Sequence, residues 1–299
     1  MHSVFAVEPE ALNTWSNFRY LIEKFGFPNG VLIARYPKTW MKLVIEACEA
    51  NNVGEVERLK IVEKLQQTKT DRMLNRKALP FDKECSWLNN AIKPEVFDLF
   101  DGFIVSEKQA LVRSYPVDDI PEEVFHDLRE KKVARDAVSL ASAARSLLVD
   151  AKELILIDPY LKPKIQCTKL LSEFIQLATD VGKGFQSLTI HVDYSKDPKP
   201  LEEVRADYQR LLRNEIEDGL NIQVIRWHDQ EFDFHARYLL TDQRHGLRYD
   251  RGFIEPSDLE ERAYETDVAC LERAMVSQLF QCYQLERDEK FITDLIVVA

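Results

Sequence analysis

Over the first 130 residues the apolar positions follow helical rather than strand periodicity. Thr39-Trp-Met-Lys-Leu-Val-Ile-Glu-Ala-Cys48 suits a helix buried along one side, and Glu55–Gln67 sets Val56, Leu59, Ile61, Val62 and Leu65 at helical spacing. Two short apolar runs interrupt this pattern as candidate strands: Val31-Leu-Ile-Ala34, led in by the turn Phe27-Pro-Asn-Gly30, and Phe103-Ile-Val105. The expectation is a mainly α-helical domain over residues 1–130, a scaffold or a surface for a protein partner. Its histidines, His2 and His126, belong to no catalytic constellation. Tyr115-Pro-Val-Asp-Asp-Ile-Pro-Glu-Glu123 is rich in proline and acid and predicts a boundary between about 115 and 135.

Residues 131–299 read differently. After an amphipathic helix over Ala134–Val149, Leu154-Ile-Leu-Ile157 is a continuous apolar run of the kind buried on both faces of a parallel sheet. Asp158-Pro159 stops it. Leu170, Leu171, Phe174, Ile175, Ala178 and Val181 line one stripe of a helix closed by Gly182. Ser187–Tyr194 then alternates, with Leu188, Ile190, Val192 and Tyr194 on one face. A second helix over about Pro200–Asp218 ends at Gly219, and Ile222–Trp227, Phe232–Thr241 and Leu247–Phe253 follow as strands. Leu271–Leu285, with Met275, Leu279, Phe280 and Tyr283 broadly on one side, predicts a packing helix. The order predicts an α/β domain over 131–299, a mixed sheet flanked by helices.

Composition narrows the function. The chain has 299 residues, 45% of them hydrophobic, enough to build a sizeable core. Its formal net charge of -11 argues against whole-molecule attraction to DNA or to an anionic membrane. The acid is concentrated late: 21 basic and 23 acidic side chains in residues 1–150, against 19 and 28 in 151–299. Any contact with nucleic acid must therefore be local. The five cysteines, Cys48, Cys85, Cys167, Cys270 and Cys282, are scattered and form no C-x-x-C pair, so they predict reduced thiols rather than a disulfide framework or zinc site. No signal peptide or transmembrane run is read, and the expected location is cytoplasmic.

The chemistry-bearing stretch is Asp233-Phe-His-Ala-Arg-Tyr-Leu-Leu-Thr-Asp242. As a strand it puts Phe232, Phe234, Ala236, Tyr238 and Leu240 on a core-facing row and Asp233, His235 and Arg237 on the other face. An acid, an imidazole and a guanidinium so placed can handle a phosphate; a polar, solvated strand face is the alternative. Asp158 and Tyr160 follow a parallel-type strand, where open α/β sheets bind ligands, though an Asp-capped turn fits equally. His191 and Asp193 share a face that is read as a solvated edge. Arg244, His245, Arg248 and Arg251 form a basic cluster, and Glu265 and Asp267 are candidate partners for Arg237 or Arg248. No spacing favours a metal, and no cofactor is called for.

His235-x-Arg237-x4-Asp242 resembles the H-x-K-x4-D motif of the phospholipase D superfamily, with arginine in place of lysine. With Asp158-Pro-Tyr, the helix ending near Gly219, the Gly246/Gly252 hairpin and Tyr264-Glu-Thr-Asp267, it is similar to the phospholipase D-like C-terminal domain of microtubule-interacting-and-transport (MIT) proteins and their bacterial relatives. The resemblance covers about residues 145–285. It implies His235 as nucleophile forming a phosphohistidine, Arg237 as phosphate clamp and Asp242 as orienter or structural acid. Asp158, Tyr160, Asp233, Arg248, Arg251, Glu265 and Asp267 would surround the substrate. A single motif implies a homodimer, and the bacterial relatives imply a metal-independent nuclease in phage defence or a mobile element. The alternative it implies is a non-catalytic adaptor for a protein or an acidic phospholipid.

Overall fold

The computed structural model describes residues 2–76, 79–125, 129–149, 151–181, 184–213, 220–228, 236–283 and 293–298. They divide into two compact units, residues 2–129 and 130–299. The first is not a helical domain. Its helices, chiefly α1 (Trp15–Lys24), α2 (Trp40–Ala50) and α3 (Glu55–Thr68), with the short α4 (Trp87–Ala91) and α5 (Pro94–Phe97), accompany a five-stranded sheet. The strands are β1 (Ser3–Val7), β2 (Val31–Arg35), β3 (Met73–Asn75), β4 (Gly102–Val105) and β5 (Ser114–Pro116), all parallel, in the order β3-β2-β1-β4-β5. Alternation is missing for a physical reason. Val31 to Ala34 and Val4 to Val7 are buried on both faces, and β3 and β5 have three residues each, too few to show a period. Thr14 starts α1 as expected of a cap, its Oγ1 accepting from the Asn17 amide at 3.2 Å.

The second unit is the expected mixed sheet flanked by helices. Its elements are β6 (Glu130–Ala134), α6 (Ala137–Leu148), β7 (Glu153–Ile157), α7 (Ile165–Val181), β8 (Ser187–Asp193), α8 (Leu201–Leu211) and β9 (Asn221–Trp227). There follow β10 (Tyr238–Thr241), β11 (His245–Tyr249), α9 (Leu259–Ala263), β12 (Glu265–Cys270), α10 (Arg273–Cys282) and β13 (Thr293–Val297). The eight strands run β13-β9-β8-β7-β10-β11-β12-β6. Only β7, β8 and β9 are mutually parallel; every other neighbouring pair is antiparallel. Among the described residues no helix is long and apolar enough to cross a membrane.

Both pleats of β7 are covered. Leu154 and Leu156 are fully buried, while Ile157 joins Ile225, Trp227 and Leu240 under Val276, Leu279 and Phe280 of α10. Burial of each such side chain contributes about 1.5–3 kcal/mol. His191 of β8 is therefore no solvated edge. It sits under Tyr283, ring centroids 5.1 Å apart, and its Nδ1 accepts from the Trp227 indole at 3.0 Å. Burial drives its pKa down to about 3, so the imidazole is neutral.

Two strands differ in extent from expectation. β10 begins at Tyr238 rather than Phe232; Ala236 and Arg237 lie in a loop before it, and Asp233 and His235 fall outside the described residues. β11 starts earlier, at His245, because Arg244 closes a tight turn at φ 63°, and it stops at Tyr249 because Gly252 turns the chain at φ 74°.

Candidate functional site

The parallel strands β7, β8 and β9 end at one edge of the sheet, and the antiparallel pairing of Tyr238 with Ile157 brings the start of β10 to the same edge. Asp158 follows β7 directly and is wholly buried. Its Oδ1 accepts from the Tyr160 amide at 2.9 Å and its Oδ2 from the Phe253 amide at 3.0 Å. Burial raises its pKa, and the two amides and the Arg237 charge act against that rise. The Phe253 amide is held in place by apolar packing: its ring lies 5.9 Å from Phe174 of α7 and 5.0 Å from Tyr249. Gly252 is required here. A Cβ on it would meet Asp158 Oδ2 at 2.5 Å and Arg237 Nε at 3.2 Å, at a φ that L side chains rarely adopt.

Arg237 faces this acid. Its Nε is buried without a hydrogen bond among the described residues, 3.9 Å from Asp158 Oδ1, and its Nη1 donates to the Asp250 carbonyl at 2.9 Å. Its Cζ lies 5.2 Å from the centre of the Tyr160 ring, and the side chain keeps 27% of its surface exposed. Lys196 Nζ lies 5.5 Å from the same ring and 3.8 Å from Asp193 Oδ2. Beyond it Tyr194 stacks on His228 with centroids 4.0 Å apart, and Arg226 lies 5.0 Å from the Tyr194 ring. Asp294 closes the row, its Oδ2 within 2.8 Å of both His228 Nε2 and Arg226 Nη2. The edge thus carries three cations interleaved with two tyrosines, each cation within 4 Å of an acid: Arg237 of Asp158, Lys196 of Asp193 and the buried Arg226 of Asp294.

Of the residues expected at the site, Asp158, Tyr160 and Arg237 come together. Asp242 does not join them. It lies past the far end of β10, its Oδ1 accepting from the Lys152 and Glu153 amides at 2.9 and 3.4 Å, and so pins the start of β7. The basic cluster also separates. His245 is buried and Arg244 lies over the Phe280 ring at 4.1 Å at the Asp242 end of the hairpin. Arg248, opposite Tyr238, and Arg251, beside Gly252, are exposed towards the Arg237 end. Glu265 pairs in register with Ala134 and Asp267 with Lys132 on β12, and among the described residues neither forms an ion pair with Arg237 or Arg248. No group of three or more His, Cys, Asp or Glu side chains gathers in metal-ligating reach among the described residues.

Sequence reading put Tyr194 on the apolar face of a strand, whereas the strand ends at Asp193, and it passed over Lys196, Arg226, His228 and Asp294. Tyr194 and His228 share one signal with Asp158: each directly follows a parallel strand. Asp294 had none, since only the pairing of β13 with β9 brings it there.

No protein-family model matches the chain, and no curated protein matches it. Among solved structures, a phosphatidylserine synthase from Haemophilus influenzae Rd KW20 is similar at 14% identity over 55% of this chain and 39% of that one, with a TM-score of 0.34. So loose an overlap, over well under half of that protein, carries nothing about activity.

Proposed function

We propose that the C-terminal unit is a phospholipase D-like module that binds the phosphodiester backbone of nucleic acid along the edge where β7, β8 and β9 end. The observation that carries this reading is the Tyr160 ring with Arg237 5.2 Å and Lys196 5.5 Å from it. A cation beside an aromatic ring is what a single strand requires, charge for the phosphate and a flat face for the base. Arg237 brings a planar fork suited to two phosphate oxygens, and Asp158 and the Asp250 carbonyl fix its direction. Arg248 and Arg251 add exposed charge nearby. In a chain of net charge -11 this local field sets a weak, strongly salt-dependent affinity.

The test is fluorescence anisotropy with a labelled single-stranded DNA at low and moderate salt, on wild type, Arg237→Ala and Arg237→Lys. The expected result is a loss of at least tenfold for Arg237→Ala and partial retention for Arg237→Lys. Equal affinity of all three would remove Arg237 from the site.

Hydrolysis is a second reading, favoured by the His228–Asp294 pair at the same edge, an imidazole and a carboxylate able to move a proton. There the His235 imidazole would displace one ester oxygen from phosphorus, the departing oxygen would take a proton, and water would release the phosphate from His235. A second copy of the chain would supply the second motif. DNA cleavage in the presence of a chelator, lost in His235→Ala, would support this reading; cleavage unchanged by the substitution would end it.

A further inference from the structure

A cleft of about 470 Å³ opens beside Tyr160, within the size range of small-ligand sites. One wall is the loop and first turn that lead into α7, with Lys162, Lys164, Gln166 and Cys167; the facing wall is Ile254–Ser257, with Arg135 and Glu261 at its rim. The Glu255 amide donates to the Gln166 carbonyl at 3.0 Å and ties the two walls together, and Arg135 at the rim is held by its amide donating to the Arg262 carbonyl at 2.9 Å. The cavity is therefore built into the backbone.

Its charge is one-sided. Glu255, buried at the base, is already matched by Lys169 Nζ at 2.9 Å and by Arg262 Nη2 at 3.9 Å, and its Oε1 also accepts from the Ala137 amide. Arg135, Lys162 and Lys164 form no ion pair with any described residue, which leaves Glu261 as the single acid facing three cations. The first turn of α7 adds its dipole to the same field. The thiol at the base is no nucleophile, because burial pushes Cys167 up to about 11 despite the two lysines that oppose the rise.

We propose that this cleft binds a phosphate monoester. A concave site with two cations in excess of its free acid matches a dianionic terminal phosphate better than the single charge of each phosphodiester along the sheet edge. Tyr160 borders both sites, so one ligand could be a strand with its phosphorylated end in the cleft, and the other a free nucleotide.

Isothermal titration with adenosine 5′-monophosphate, adenosine and inorganic phosphate tests the cleft in the full chain. The pair Lys162→Glu/Lys164→Glu is compared with Lys152→Glu, an exposed lysine at the opposite end of β7. Saturable binding of the monophosphate but not of adenosine, weakened at least tenfold by the double substitution and unchanged by Lys152→Glu, is the expected result. No binding, equal binding of adenosine, or an equal loss in Lys152→Glu would overturn the proposal. A second arm compares 5′-phosphorylated and 5′-hydroxyl dodecamers. A phosphate advantage that vanishes in the double variant identifies a strand end as the source, whereas monophosphate binding without that advantage identifies a free ligand. Loss of binding to the hydroxyl strand in Arg237→Ala, with monophosphate binding intact, concerns the sheet edge alone, so the two readings fail separately.

Discussion

Each unit has a buried parallel strand that ends in an acid followed by proline: Val7-Glu8-Pro9 after β1 and Ile157-Asp158-Pro159 after β7. The two acids meet different neighbours. Glu8 Oε2 accepts from the Ser106 amide and hydroxyl, both at 2.7 Å, so its donors come from the end of one neighbouring strand and are neutral. Asp158 also takes two amides, but it faces Arg237, and Tyr160, two residues on, is flanked by Arg237 and Lys196. An acid after a central strand thus organises the strand ends in either unit. What distinguishes a candidate binding edge is the cations that the organisation holds in place.

Removing the acids should separate the two roles most strongly. Asp158→Ala leaves the Tyr160 and Phe253 amides without acceptors and Arg237 without its counter-charge, at an expected cost of about 3–5 kcal/mol. Glu8→Ala, at a less buried position, should cost about 1–2 kcal/mol. Urea denaturation of both variants measures the difference. Equal losses would mean that the Arg237 contact adds nothing to the Asp158 turn.

Next in size is Gly252→Ala, at about 2–3 kcal/mol, from a methyl forced against Asp158 Oδ2 at a left-handed φ. Because the methyl also crowds Arg237 Nε, DNA affinity should fall with stability. A variant that loses stability but binds normally would show that the fork does not depend on this turn.

How much of this was legible from residues alone depended on the kind of signal. Stripes such as Leu170, Leu171 and Phe174 and the run Leu154–Ile157 marked α7 and β7 because each buries enough consecutive positions to show a period or a block. β3 and β5 did not, being three residues long. A motif and a strand end point to Arg237, Asp158 and Tyr160, and the fold brings these three side chains together. Lys196, His228 and Asp294 come together only through the register of β7, β8, β9 and β13, and register is set by long-range pairing that no local window contains. The same holds for His191, whose alternation looked like a polar face until α10 covered it.

His191 provides a pH test of that covered face. The folded imidazole stays neutral to about pH 3, while the unfolded one takes a proton near its ordinary 6.5. The folded pKa is depressed, so the stability it contributes is present above about pH 6.5 and is lost as pH falls from there towards 3. His191→Phe should cost about 2 kcal/mol at neutral pH, by removing the acceptor that His191 offers the Trp227 indole N–H, and should flatten the acid limb of the stability curve. An acid limb as steep as in the wild type would place His191 in contact with water.

The smallest expected effect tests the quiet edge. Ser106→Ala removes one of the two donors to Glu8 Oε2 and keeps the other, the Ser106 amide, so the carboxylate stays anchored. The expected cost is about 0.5–1.5 kcal/mol in denaturant midpoint. DNA and monophosphate affinities should not move, because among the described residues no cation pairs with that carboxylate as Arg237 does with Asp158. A change in either affinity, with the fold intact by circular dichroism, would mean that the β1 end also takes part in binding. The contrast between an acid that only orders strand ends and one that aims a guanidinium would then no longer hold.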